Sequence, residues 1–112
     1  MRVLAIIPAR GGSKGIKNKN IKNLCGHPLI AWTIQRANKS KFIDKVVVST
    51  DSKKIASVAK KYGALVPFIR PKKYATDKAN DFVVLNHAIN FFKAKGEKFD
   101  YVLMLQPTSP LR

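Results

Sequence analysis

Residues 3–15 read Val3-Leu4-Ala5-Ile6-Ile7-Pro8-Ala9-Arg10-Gly11-Gly12-Ser13-Lys14-Gly15. An apolar, largely β-branched run stops at a proline and opens into a glycine-rich, cationic loop. Arg10, Lys14, Lys17 and Lys19 follow one another with no acid among them. Glycines at 11, 12 and 15 let the backbone come close to a ligand. Successive backbone N–H groups, with the Ser13 hydroxyl, can then form an anion-binding nest. The stretch reads as a first strand leading into a phosphate cradle, the position that ligand loops take in α/β units. A solvated charge run is the bland alternative, and the mixture of Gly, Ser and Arg directly after a strand argues against it. Neither G-x-x-x-x-G-K-[ST] nor G-x-G-x-x-G occurs here, which excludes a P-loop NTPase and the standard dinucleotide fingerprint.

Outward from this loop, further runs of strand character lie at Val46–Ser49, Val66–Ile69 and Tyr101–Leu105. Stretches of helical period separate them. Leu29, Trp32, Thr33 and Arg36 follow Pro28, a favourable residue at a helix start. Ile55, Val58, Ala59 and Tyr62 follow Ser49-Thr50-Asp51-Ser52, which offers capping oxygens, and Gly63 suits the stop. Phe82, Leu85, Ile89 and Phe92 form a third stripe that ends near Gly96. Strands alternating with amphipathic helices predict α/β architecture, a three-layer α/β/α Rossmann-like fold around a four-stranded, mostly parallel sheet. The last strand is followed only by Gln106-Pro107-Thr108-Ser109-Pro110-Leu111-Arg112. Parallel sheets need cover on both faces, so the fold is expected to be incomplete at the C-terminus, with residues 1–112 the N-terminal part of a larger domain.

The chain has 112 residues, 22 Lys+Arg against 6 Asp+Glu and a formal charge of +16, with 46% hydrophobic residues. That composition suits one globular domain rather than a disordered tail. No apolar run approaches the roughly 20 residues of a membrane span, so no membrane partner is expected. Cys25 is alone, which excludes an intrachain disulfide and a cysteine metal cluster and fits a reducing cytoplasm. The charge raises the possibility of a nucleic-acid partner. The lysines, however, are spread along the whole chain with few aromatics between them, so stacking platforms are lacking. An anionic small substrate explains the loop better.

Ligands of open α/β sheets bind beyond the carboxyl ends of the strands, which brings four loops together. The first is 10–20. The second, Ser49-Thr50-Asp51-Ser52, reads first as a helix cap. In the third, Arg70 is either a surface arginine or a partner for a carboxylate or a base carbonyl. The fourth offers Gln106, Thr108, Ser109 and Arg112, groups that read a polyhydroxylated ligand, with a plain turn as the alternative. His27 and His87 lack ligand spacing and read as structural. No D-x-D pair occurs to hold a divalent ion.

Ile7-Pro8-Ala9-Arg10-Gly11-Gly12-Ser13-Lys14-Gly15, followed by Lys19-Asn20-Ile21, resembles the opening signature of the acylneuraminate (CMP-sialic acid) cytidylyltransferases. Val48-Ser49-Thr50-Asp51 and Gln106-Pro107-Thr108-Ser109-Pro110-Leu111-Arg112 resemble that family's second and fourth loops, in order and at suitable spacing. The likeness covers essentially the whole chain. It implies a sheet of the nucleotide-diphospho-sugar transferase type, with residues 1–112 as the N-terminal, nucleotide-binding half of one cytidylyltransferase domain. The implied activity is transfer of CMP from CTP to an acidic nine-carbon sugar, releasing pyrophosphate with Mg2+. Gly15-Ile16 tilts the reading toward sialic or legionaminic acid rather than pseudaminic acid.

By the same resemblance, Lys19 would act on the α-phosphate, and Arg10 with Gly11, Gly12, Ser13 and Lys14 on the β- and γ-phosphates. Asn20 would hold the ribose or base, and Arg70 would contact cytosine beside the backbone of Ala79. Gln106, with Thr108 and Ser109, would face the sugar. Asp81 stands where the family has a nucleotide-contacting serine and is by that match a nucleotide-binding candidate. It departs from the pattern, however: its carboxylate can accept from a ribose hydroxyl, but next to a triphosphate it would repel. The family's metal-binding aspartates and its dimer contact fall beyond Arg112. Magnesium ligands and a homodimer are therefore expected of a full-length protein, and the 112 residues alone are expected to be inactive. The competing readings are a non-catalytic nucleotide-binding fragment and a basic nucleic-acid-binding module.

Overall fold

Burying five side chains in succession, Val3 to Ile7, requires a strand with neighbours on both edges and layers on both faces. The computed structural model, which describes residues 2–10, 23–24, 27–74 and 81–107, gives that strand both. In chain order the elements are β1 (Val3–Pro8), β2 (Asn23–Leu24), β3 (His27–Pro28), α1 (Leu29–Asn38), β4 (Lys45–Ser49), α2 (Lys53–Lys61), a 3-10 turn (Lys72–Tyr74), α3 (Asp81–Ala94) and β5 (Tyr101–Met104). The main sheet is parallel in the order β4-β1-β5. β2 and β3 form a small antiparallel pair, which the sequence pattern did not announce.

Side chains alternate across the sheet. Ile7, Val46 and Val48 pack with Ile30 and Ile34 of α1 and Ile55 and Ala59 of α2. Leu4, Ile6 and Val47 pack on the other face with Val84, Ala88 and Phe92 of α3. The expected three-layer α/β/α arrangement is thus present. On β5, Val102 and Met104 join the α3 layer, whereas Tyr101 and Leu103 are exposed.

Two expectations need correction. Val66–Ile69 is not a strand, and the described sheet has three strands rather than four. Only Leu65 pairs there, through one parallel bridge to Val47 with Leu65 N–H donating to Val46 O and Val48 N–H donating to Leu65 O, each at 2.9 Å. Pro67 cannot donate to a ladder, and the chain leaves the edge to bring Arg70 N–H to Thr50 O at 2.7 Å. The third stripe holds in part: Leu85 and Phe92 pack in the sheet-facing cluster as expected. Phe82 and Ile89 are exposed, at 73% and 39%, while Val84, Ala88 and Phe92 face the sheet. α3 is so apolar that several stripes satisfy helical period, and contact with β1 and β4 selects among them.

The helix ends follow their residues. Pro28 precedes α1, and Ser52 caps α2 by accepting from Ile55 N–H at 3.2 Å. Gly63 ends the α2 turn at φ +96°. No helix among the described residues is long and apolar enough to cross a membrane.

At Gly63 an added Cβ would sit 3.2 Å from Asn38 Nδ2 in a conformation that L residues resist. Gly63→Ala should therefore lower stability by about 1–2 kcal/mol in urea titrations; an unchanged midpoint would contradict this account.

Candidate functional site

The parallel sheet aims the carboxyl ends of β1, β4 and β5 the same way, and each delivers residues singled out from the sequence. Arg10 follows β1, Thr50 and Asp51 follow β4, and Gln106 follows β5. Asp81 reaches the same end as the first residue of α3. The phosphate-loop residues Gly11, Gly12, Ser13, Lys14, Lys19 and Asn20 lie outside the described residues, as do Ala79, Thr108 and Ser109.

The centre of this edge is the Ser49 carbonyl. Ala9 N–H donates to it at 2.9 Å, and Arg70 Nη2 donates to it at 2.8 Å. Arg70 Nη1 donates to Tyr74 O at 3.0 Å, and Arg70 N–H to Thr50 O at 2.7 Å. One guanidinium thereby clasps the end of β4 to the turn at 72–74. Arg70 is only 3% exposed, so the surface-arginine reading is set aside. Two of its five N–H donors are committed to backbone. Its Nε is buried without a hydrogen-bond partner among the described residues, as is Ser49 Oγ.

Burial lowers the pKa of Arg70, the nearby Asp51 opposes that shift, and Arg10 adds to it by repulsion. Arg10 and Arg70 are thus within electrostatic reach of one another. Two cations held close together are stabilised by an anion placed between or beside them. The second loop behaves as the cap reading expects. Ser52 caps α2, and Thr50 Oγ1 accepts from Ser52 N–H at 3.1 Å.

Gln106 and Asp81 are brought together, with Gln106 Nε2 donating to Asp81 Oδ1 at 3.4 Å. Neither this pair nor the Arg70 clasp was visible in the sequence. The only local cue for the clasp is Arg70-Pro71, since Pro71 starts the turn closed by Tyr74 N–H donating to Pro71 O at 2.9 Å. His87 serves packing. Its ring meets Phe68 edge-on at 4.7 Å and lies 5.4 Å from Tyr74. Among the described residues no three His, Cys, Asp or Glu side chains converge on a common point. A magnesium site needs carboxylates to supplement water and phosphate oxygens. The described residues do not build one.

Residues 4–111 match the cytidylyltransferase family. The chain is 49% identical over 112 residues to a CMP-N,N'-diacetyllegionaminic acid synthase of Legionella pneumophila, covering 100% of this chain and 48% of that protein. It is 44% identical over 111 residues to a pseudaminic acid cytidylyltransferase of Campylobacter jejuni, covering 99% and 48%. The chain therefore spans about half the length of these curated relatives. Among solved structures, a CMP:2-keto-3-deoxy-manno-octonic acid synthetase complexed with CTP superposes with a TM-score of 0.81 at 20% identity, over 100% of this chain and 42% of that one. At that identity the likeness establishes the fold.

Removing the clasp leaves the buried Ser49 carbonyl and the part-buried Tyr74 carbonyl without their charged donor. Arg70→Ala should cost about 3 kcal/mol of stability, as charge-assisted hydrogen bonds do. Arg70→Lys should recover less than half, because an ammonium cannot span both carbonyls. Denaturant midpoints read both, and full recovery by lysine would show that charge alone matters.

His87 is held below its ordinary pKa, first by burial and then by Arg70. A depressed folded pKa gives stability that is fully present above the unfolded value of about 6.5 and is lost as pH falls toward the folded value. Stability should decline as pH falls below about 6.5, and His87→Phe should flatten that decline. A slope that persists in the variant would assign it to other groups.

Proposed function

The chain belongs to the cytidylyltransferase family, and from that footing we propose that the protein transfers CMP from CTP to an acidic nine-carbon sugar, with sialic or legionaminic acid as the substrate class. The observation that carries this reading is the convergence of Arg10, the Arg70 clasp and Gln106 at one sheet edge, in a chain whose relatives are named for CMP-sugar synthesis.

In this reading the sugar's anomeric hydroxyl forms the new bond to the α-phosphorus. The bond to the pyrophosphate oxygen breaks, and the hydroxyl proton passes to solvent. Negative charge grows on the leaving pyrophosphate, so preplaced cations and N–H groups supply the catalysis. Lys19 is assigned to the α-phosphate, and Arg10 with Gly11, Gly12, Ser13 and Lys14 to the β- and γ-phosphates. Asn20 holds the ribose or base. Arg70 has already spent two donors on carbonyls, so it shapes the base pocket near Ala79 and offers the base only its remaining N–H groups. Gln106, with Thr108 and Ser109, meets the sugar. The magnesium that the family reading includes would be held by residues other than those described. The lone Cys25 and the nucleotide substrate support a cytoplasmic setting in this reading.

Legionaminic acid takes precedence over pseudaminic acid in this proposal because of Gly15-Ile16 and the higher identity to the legionaminic relative. Pyrophosphate release from CTP with a panel of nine-carbon acids tests the reading. Release with sialic or legionaminic acid, and little with UTP, is the expected result. Steeply salt-sensitive nucleic-acid binding without turnover would favour the basic-module alternative instead.

Lys19→Ala in the full-length protein should lower kcat by at least about 10²-fold, the loss expected for a preplaced group on developing charge. Near-normal turnover would remove Lys19 from the catalytic role.

A further inference from the structure

Asp81 and Gln106 belong to different elements, one opening α3 and the other following β5. Their side chains meet across 25 residues of chain, with Gln106 Nε2 donating to Asp81 Oδ1 at 3.4 Å. Both residues are exposed at the carboxyl end of the sheet. The chemistry of the pair fixes its sense. An ionised carboxylate only accepts, whereas a glutamine amide both donates and accepts. Gln106 must therefore turn its NH2 group toward Asp81, which leaves Oε1 as the acceptor it offers to a ligand. At the start of α3, the carboxylate is itself favoured by the helix's N-terminal N–H groups.

We infer that Asp81 is a positioning residue for the acceptor sugar: it holds the Gln106 amide so that Oε1 accepts from a hydroxyl or acylamino N–H of that substrate. The inference rests on the cytidylyltransferase reading and deepens it. It gives Asp81 a role away from the triphosphate, where a carboxylate would repel. It also sets a specificity rule. An unpinned glutamine can flip to suit a donor or an acceptor, but a pinned one rejects a sugar that lacks a donor at that point. The contact is long for a hydrogen bond, so its effect is to orient the amide rather than to add much stability.

Steady-state kinetics of the full-length protein test this. Asp81→Ala should raise KM for the sugar about 5–20-fold, the scale of one lost hydrogen bond, and leave KM for CTP within about twofold. Asp81→Asn, which can still accept through Oδ1, should restore most of the loss. The Asp81→Ala, Gln106→Ala double variant should be no worse than Gln106→Ala alone, because the two act as one unit. A raised KM for CTP with that of the sugar unchanged would make Asp81 a nucleotide contact and overturn the inference; additive losses would overturn it equally. If the wild type turns over no nine-carbon acid, the transferase reading fails, and NMR still decides the pair. The Gln106 side-chain amide signals should shift in Asp81→Ala and return most of the way in Asp81→Asn. Signals indifferent to both substitutions would refute the pairing.

Discussion

The carbonyl of Ser49 is the contact on which the rest of the edge depends. It ends β4, accepts the first backbone N–H beyond β1 from Ala9, and accepts the Arg70 guanidinium as well. A carbonyl has two lone pairs, and here both directions are used by segments far apart in sequence. The exit of the phosphate loop from β1, the start of α2 and the return of the 66–74 segment are all referenced to one peptide unit. Ser49 and Thr50 are fully buried, so that unit is shielded from competing water, and hydrogen bonds there are stronger than at the surface. The fold does not merely support the candidate site; the same hydrogen bonds make both.

The opposite end of the sheet has a different task. Asp44 and Asp100 precede β4 and β5, and their carboxylates accept the backbone N–H groups of Val3 and Arg2 at 2.6 and 2.7 Å. Glu97 accepts from Lys45 at 2.6 Å and from Arg2 at 3.2 Å, and these two partners hold its carboxyl below the ordinary range. Three of the six acids in the chain are thus engaged in tying strand starts together. Asp51 and Asp81 stand instead at the end where the strands finish, so acids are present at both ends, and those at the strand starts are the ones spent on closing the sheet.

The sequence was legible where periodicity and punctuation are local. β1, β4 and β5, the three helices, the Ser52 cap and the Gly63 stop all follow from patterns within a dozen residues. It was misleading where local preference had a tertiary competitor. Val66–Ile69 has strand composition, but Pro67 removes a donor and Arg70 pulls the chain away to Thr50. Phe82 and Ile89 have helical spacing, but so do Val84, Ala88 and Phe92, and only the sheet distinguishes the two faces. At the site, residue types showed which loops carry chemistry. They could not show that Arg70 would be a clasp or that Asp81 would find Gln106, because both depend on where separate elements end in space.

The formal charge of +16 is the feature most easily over-read. Exposed charges separated by more than about 8 Å are largely screened at physiological ionic strength. The lysines closing α2, Lys60 and Lys61, therefore complement the local helix dipole and do little else. Lys53 and Lys54 are different. They stand in the first turn of α2, which holds no acid, where the dipole disfavours them by some tenths of a kcal/mol each. At the strand ends Arg10 lies within electrostatic reach of the buried Arg70, and an anion bound at that edge would offset their repulsion. The informative quantity is therefore where cations are held against local preference, not their sum, and by that measure the chain points to its carboxyl edge.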